Sequence, residues 1–250
     1  MTSYIFGVRL DDAPSEGLRE VLERFLDGDR TSRIFTPNPE ILLRARDDPA
    51  YAEVMNTADL ALPDGTGVAI VETLRQRRRV PRWPGVEIGA MLLRIAADRG
   101  ATVVFFGGST EAAERAADRW RRALPGVRIE IVGTGASVTE DGIAWPAHRD
   151  ADLTRAIDAV HPAIVLVGLG APKQERWIDR NADAIASARI MIGIGGAFDM
   201  WAGRLRRAPP WLRRLGLEWA WRLALEPGRL PRAIRATIIF PARALFDRTD

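Results

Sequence analysis

Apolar runs of strand length recur along the chain, and stretches with apolar residues at helical spacing separate most of them. The runs are "YIFGVRL" (4–10), "RIFT" (33–36), "ADLALP" (58–63), "TVVFFG" (102–107), "RIEIVG" (128–133), "AIVLVG" (163–168) and "RIMIGIG" (189–195). The later ones are apolar at successive positions, as parallel strands covered on both faces are. Between the runs, Ile88, Met91, Leu92 and Ile95 fall at i, i+3, i+4 and i+7, the period of a helix with one buried face. Ala112, Ala113, Ala116, Trp120 and Leu124 mark a second such face, with Ser109 placed to cap that helix and Glu111 in its first turn. Alternating strands and helices predict an α/β fold over residues 1–200: a Rossmann-like, largely parallel sheet with flanking helices.

From about Trp201 the pattern changes. Leu212, Leu215, Trp219 and Leu223 form one helical stripe, with Pro209 and Pro210 before it and Pro227 and Gly228 after it. No central strand is evident. Residues 201–250 are therefore expected to form a helical C-terminal appendage. A cut near Arg204 is expected to leave a folded α/β domain.

Charge sharpens that division. Residues 201–250 hold 11 arginines against Glu218, Glu226, Asp247 and Asp250, a net of +7, which leaves −4 for the first 200 residues of a chain of net charge +3. Four of the eight tryptophans also lie in the tail: Trp201, Trp211, Trp219 and Trp221. A basic, tryptophan-rich amphipathic segment suits an anionic membrane surface. With no cysteine and two histidines, disulfides, thiolate zinc sites and histidine-rich metal sites are excluded. The start "MTSYIFGVRLDD" lacks a basic region followed by an apolar one, and no stretch has about 18 consecutive apolar residues, so neither a secretory signal nor a membrane span is expected.

Candidate chemistry gathers where strands end. "FFGGSTEAAE" puts Gly107 and Gly108 before a helix, "VGLGAPKQERW" does so with Gly168 and Gly170, and "IGIGGAFDM" carries Gly193, Gly195 and Gly196. In parallel sheets such turns offer backbone N–H groups and positive helix ends to anions, which suggests a phosphorylated ligand such as a nucleotide. Each glycine pair taken alone is explained as well by a tight turn. No P-loop and no G-x-G-x-x-G occurs. "LALPDGTGV" places Asp64 at a strand end, either as a turn former or as a carboxylate at the mouth of a site. Thr36 and Asn38 follow another strand in "FTPNPE", where Asn38 also suits a helix cap ahead of Pro39 and Glu40. Arg82 precedes a helix in "RWPGVE". Lys173, Gln174 and Glu175 open one in "PKQERW", although lysine is disfavoured there by the helix dipole. The D-x-D of Asp150 and Asp152 is better explained by helix capping than by a metal.

These segments carry a resemblance. "TPNPEILLRAR", "NTADLALPDGTGV", "RWPGVE", "VFFGGS", "VLVGLGAPKQERWI" and "IGIGGAFDMWAGRLRRAPPWLRRLGLEWAWRLALEPGRL" occur in the order of the motifs of the WecG/TagA/CpsF glycosyltransferases, over about residues 30–232. The chain departs mildly at "RWPG", where many relatives have valine and threonine between the arginine and the glycine. The resemblance implies inverting transfer, without a metal or other cofactor, of N-acetylmannosamine or its uronic acid. The donor would be a UDP-sugar and the acceptor a polyprenyl-diphosphate-linked N-acetylglucosamine, at the inner face of the bacterial cell membrane. It implies Asp64 as general base, with Arg82 and Gln174 as the other catalytic residues. Expected substrate contacts are Thr36, Asn38, Gly65, Gly107, Gly108, Ser109, Gly168, Gly170, Lys173, Glu175, Gly196 and Asp199, joined from the tail by Arg207, Arg214 and Arg222. A homo-oligomer is left open. The rival classes are an NAD(P)- or nucleotide-binding oxidoreductase, which UDP would not stabilise to heat, and a nucleic-acid binder using the basic tail. No nucleic-acid motif is present, so no nucleic-acid partner is expected.

Overall fold

The first apolar run folds back on itself instead of forming the single strand expected over 4–10. β1 (Thr2–Ile5) and β2 (Val8–Asp11) pair antiparallel, and Phe6 and Gly7 turn the chain with φ of 52° and 74°. A two-residue turn with both φ positive matches the twist of the strands it joins. Phe6 holds this conformation with its ring buried, edge-on to Phe240 at 6.1 Å between centroids. The computed structural model describes residues 2–12, 17–146, 149–205, 207–226, 228 and 230–247, without the side chains of 213, 214 and 222.

After the hairpin come α1 (Leu18–Leu26), β3 (Ser32–Phe35), α2 (Pro39–Asp47), α3 (Pro49–Asn56) and β4 (Leu60–Ala61). Then follow α4 (Thr66–Gln76), α5 (Gly85–Arg99), β5 (Thr102–Phe106), α6 (Thr110–Ala123) and β6 (Arg128–Val132). The domain continues with α7 (Arg149–Asp158), β7 (Ile164–Val167), α8 (Lys173–Asn181), β8 (Ile190–Gly193) and α9 (Ala197–Trp201). Strands β3 to β8 form one six-stranded sheet in the order β4-β3-β8-β7-β5-β6, every pairing parallel. This is the α/β architecture expected from the alternating pattern.

The apolar strands explain the layers. Every residue of β7 and β8 is buried. Because successive side chains point to opposite faces, Val165 and Val167 join one core with Phe35, Phe106 and Trp177, while Ile164 and Leu166 join the other with Ile34, Phe105 and Phe198. All carboxyl ends of the sheet then lie along one edge. Asp150 and Asp152 sit in α7, where Asp150 accepts a hydrogen bond from the Trp177 ring N–H at 3.0 Å and Asp152 pairs with Arg155.

The tail is helical but not one helix. It runs through α10 (Pro210–Arg214), α11 (Glu218–Leu225), α12 (Leu230–Ile234), a π-helical turn (Arg235–Ile239) and α13 (Phe240–Leu245). The expected stripe from Leu212 to Leu223 breaks at Gly216, whose φ is 73°. A close approach causes the break. The Thr66 hydroxyl donates to the Gly216 carbonyl at 3.0 Å, and a Cβ at Gly216 would lie 2.6 Å from Thr66 Cγ2. Only glycine fits that approach. Pro227 lies outside the described residues.

The tail also enters the core. Phe240 and Ala244 are fully buried in the cluster that holds Phe6, Val68 and Val71, and α13 packs on α4 and α2. Residue 200 lies within α9. Among the described residues, no helix is long and apolar enough to cross a membrane.

Candidate active site

A cleft of about 330 Å³ opens at the carboxyl ends of β3, β4, β7 and β8 and is closed over by the tail. Its position follows from the parallel sheet. β3, β4 and β7 end in loops that start α2, α4 and α8, and α5 follows α4, so these four helices bring N-terminal residues to the cleft: Pro39 and Glu40, Gly65 to Gly67, Pro84 to Val86, and Gln174. Positive helix ends gathered at one place favour an anion.

The loop carrying Asp64 is pinned by backbone. Asp64 N–H donates to the Pro37 carbonyl at 2.9 Å, and Trp83 N–H to the Pro63 carbonyl at 2.7 Å. The first bond ties the β4 loop to the β3 loop; the second brings Arg82 alongside. Asp64 is not the cap residue of α4. The cap position is Gly65, with φ of 86° and no side chain of its own to cap the helix. The half-buried carboxylate stands at the cleft, one residue before the α4 cap position.

Gln174 holds two loops together. Its Oε1 accepts from Gly170 N–H at 3.1 Å and Gly195 N–H at 3.0 Å, while its Nε2 donates to Glu175 Oε1 at 2.7 Å. The approach is tight: a Cβ at Gly193 would lie 2.6 Å from Gln174 Nε2. Glu175 is buried behind Gln174 and accepts from the Tyr51 hydroxyl at 2.9 Å. Burial raises the Glu175 carboxyl above its ordinary value, opposed in part by the hydrogen bond from Gln174. Burial, then the neighbouring Glu175, likewise holds the Tyr51 phenol protonated. A raised carboxyl lends stability that is fully present below its unfolded value and is lost as pH rises through the folded one. Glu175→Gln keeps an oxygen for Gln174 and offers an N–H to Tyr51. It is expected to flatten the decline of Tm with alkali above about pH 5. Thermal melts across pH test this, and a parent and variant that fall in parallel would contradict it.

On the tail side, Glu218 joins two arginines. It lies 3.8 Å from Arg82 and 3.5 Å from Arg207, which also pairs with Glu87 at 2.5 Å. Arg82, Arg207 and Arg232 give this wall its positive charge. Trp219, Leu223, Ala233 and Ala236 make the adjoining surface apolar.

Of the residues expected from the sequence, Thr36, Asn38, Asp64, Gly65, Arg82, Gln174, Gly196 and Arg207 line the cleft. Asn38 also caps α2, its Oδ1 accepting from Glu40 and Ile41 N–H at 2.9 and 3.0 Å. Gly107, Gly108, Ser109, Gly168, Gly170, Lys173, Glu175 and Asp199 do not line it. Packing explains several of these. A Cβ at Gly168 would lie 2.6 Å from the Phe198 ring, and one at Gly107 would lie 2.7 Å from Leu169. Ser109 caps α6 and accepts from Arg204 at 3.0 Å. The Asp199 carbonyl ends a turn by accepting from Arg204 N–H at 2.9 Å. The side chains of Arg214 and Arg222 lie outside those described. Sequence reasoning missed Glu218, Arg232 and Thr237. Only Glu218 had a signal, in "GLEW". Among the described residues, no group of three His, Cys, Asp or Glu side chains could hold a metal ion.

A parallel sheet whose strand ends and helix N-termini enclose a cleft with a carboxylate and arginines has the layout of an α/β enzyme. The chain belongs to the WecG/TagA/CpsF glycosyl transferase family, whose sequence profile matches residues 3–250. It is a glycosyltransferase. It is similar to an N-acetylglucosaminyldiphosphoundecaprenol N-acetyl-beta-D-mannosaminyltransferase of Bacillus spizizenii, 34% identical over 210 residues that make up 84% of this chain and 77% of the relative. The Bacillus subtilis protein of the same name is 30% identical, covering 85% of this chain and 78% of its own length. The Staphylococcus aureus one is 29% identical, covering 91% and 86%. The resemblance expected over 30–232 thus extends to nearly the whole chain.

Proposed function

We propose that the chain transfers an N-acetylmannosaminyl group from a UDP-sugar to undecaprenyl-diphosphate-linked N-acetylglucosamine, with inversion and without a bound metal ion. The observation that carries this reading is one cleft holding Asp64, Arg82 and Arg207 where four helix N-termini meet. The names of the relatives support the sugar and the acceptor. Asp64 takes the proton of the acceptor hydroxyl as its oxygen attacks the anomeric carbon. The new C–O bond forms as the bond from that carbon to the phosphate oxygen breaks, and the electron pair leaves with UDP. Arg82 and the helix ends offset the growing negative charge. Gln174 positions the loops after β7 and β8. The chain acts as a peripheral protein on the cytoplasmic face of the membrane, with the exposed Trp211 and Trp219 of the basic tail at the headgroups.

The test is UDP release over a panel of UDP-sugars with a water-soluble, short-chain lipid-diphosphate acceptor, with and without chelator. Turnover is expected with UDP-N-acetylmannosamine and is expected to survive chelation; activity abolished by chelator would overturn the metal-free part. Stabilisation by NAD with no UDP-sugar turnover would favour the oxidoreductase reading. Arg82→Ala is expected to lower kcat by about 10²-fold. Its Tm should change little, because a partly solvated pair with Glu218 contributes little to stability. A large fall in Tm with kcat intact would make Arg82 structural.

A further inference from the structure

Helix α4 has an outer face that the cleft does not use. Val68 and Val71 are buried on its inner side, and a Cβ at Gly67 would lie 3.0 Å from the Ala236 carbonyl oxygen of the tail. Ile70 and Leu74 are 52% and 59% exposed. Four residues apart, they form one row along the helix. The tail lies beside α4 through α13, and leaves Ile234 and Ile238 open at 40% and 63%. Ile234 and Ile238 lie in α12 and the π-helical turn, which lead into the α13 that packs on α4.

Arginines frame this face. "LRQRRRV" continues from Leu74, with Arg77 and Arg79 exposed, and Arg235 and Arg243 are exposed on the tail. The acidic residue of α4, Glu72, is 1% exposed and adds no negative charge to the surface. A solvated surface rarely gathers such apolar residues, and the core of a protein interface is depleted of charge. An anionic lipid surface takes both: apolar side chains enter the acyl boundary and arginines meet phosphate.

We propose that the Ile70–Leu74 face of α4, aided by the exposed Ile234 and Ile238 of the tail, is a lipid-contact surface of the α/β domain itself, seated on an anionic bilayer. The proposal rests on the lipid-linked acceptor of the reading above and adds a second contact beside the tail's tryptophans. It also orients the enzyme. Gly65 to Gly67, at the start of α4, line the cleft. At 1.5 Å per residue, Leu74 lies about 12 Å along the axis from Thr66. A bilayer resting on this face holds the cleft close to the headgroups, where a lipid diphosphate is presented.

The experiment uses the full chain and the double variant Ile70→Asp/Leu74→Asp, with Tm checking the fold, and vesicles of phosphatidylglycerol and phosphatidylcholine at low salt. The bound fraction of the variant is expected to fall about tenfold or more. Its rate on the water-soluble acceptor should be unchanged, and its rate on a long-chain acceptor in vesicles should fall. Ile70→Trp, which enlarges the apolar contact, should bind vesicles more tightly and keeps the test open should the aspartate pair unfold. A folded aspartate variant that sediments with vesicles like the parent would overturn the proposal. So would light scattering that shows the substitutions dissolving a dimer while vesicle binding persists, which would give the face to a second copy. If the parent fails on the soluble acceptor, the transferase reading fails while the vesicle measurement still decides this one.

Discussion

Asp64→Asn is expected to lower sugar transfer by about 10²–10⁴-fold, the range for a lost general base, while the protein still folds and still gains heat stability from UDP. The loop is held by main-chain bonds, from Asp64 N–H to Pro37 and from Trp83 N–H to Pro63. Asparagine keeps both. It also leaves the cap of α4 intact, since that position is Gly65. The substitution therefore removes a proton acceptor and keeps the main-chain bonds of the loop. UDP release and a thermal shift with UDP, measured on the same preparation, separate the two effects. Near-parental turnover would return Asp64 to a loop-forming role. Loss of both turnover and UDP stabilisation would place it in donor binding instead.

Phe240→Ala is expected to cost about 3–5 kcal/mol of stability, the range for a buried phenylalanine cut to alanine. Phe240 is fully buried and meets the Phe6 ring edge-on at 6.1 Å. The turn just before it carries Ala236 and Thr237, which line the cleft. Cavity formation there should loosen that wall, so the surviving enzyme should show a raised KM for the acceptor. Denaturant unfolding and initial rates at low temperature measure the two parts. A loss below about 1 kcal/mol would show that the tail is only lightly docked. Phe240 also changes what a truncation means. A cut near Arg204 was expected from the sequence to spare the α/β domain. In the structure it removes Phe240 and Ala244, among others, from the core, so loss of activity in the truncated chain would not by itself report on membrane contact. The surface substitutions on α4 avoid that difficulty.

Residue patterns local to a few turns of chain carried much of the architecture. The parallel strands are apolar runs because helices cover both faces, and a run such as "AIVLVG" has few other stable fates. The caps at Asn38 and Ser109 are where side-chain chemistry puts them. Asp64 and Gln174 were legible because they follow strands whose carboxyl ends must share an edge, and Arg82 because it precedes a helix inside a family motif. Other features depend on groups far apart in sequence meeting in space. Gly216 breaks the tail helix because Thr66 is there to touch it. Phe6 and Gly7 turn a hairpin where the residue pattern suggested one strand, with the Phe6 ring resting on Phe240 from the far end of the chain. Gly107 and Gly168 look like ligand-binding glycines in sequence, yet Leu169 and Phe198 fill the space a side chain would need. Glu175 stands next to Gln174, but only the depth of α8 against Tyr51 decides that one faces the cleft and the other the core. The sequence alone thus determined which residues can bury, cap or carry charge, because those are properties of single side chains and their near neighbours. Tertiary structure alone decided which of them face one another across the cleft, because that depends on close approaches between segments far apart in the chain, such as Phe6 N–H on Asp247, 241 residues away.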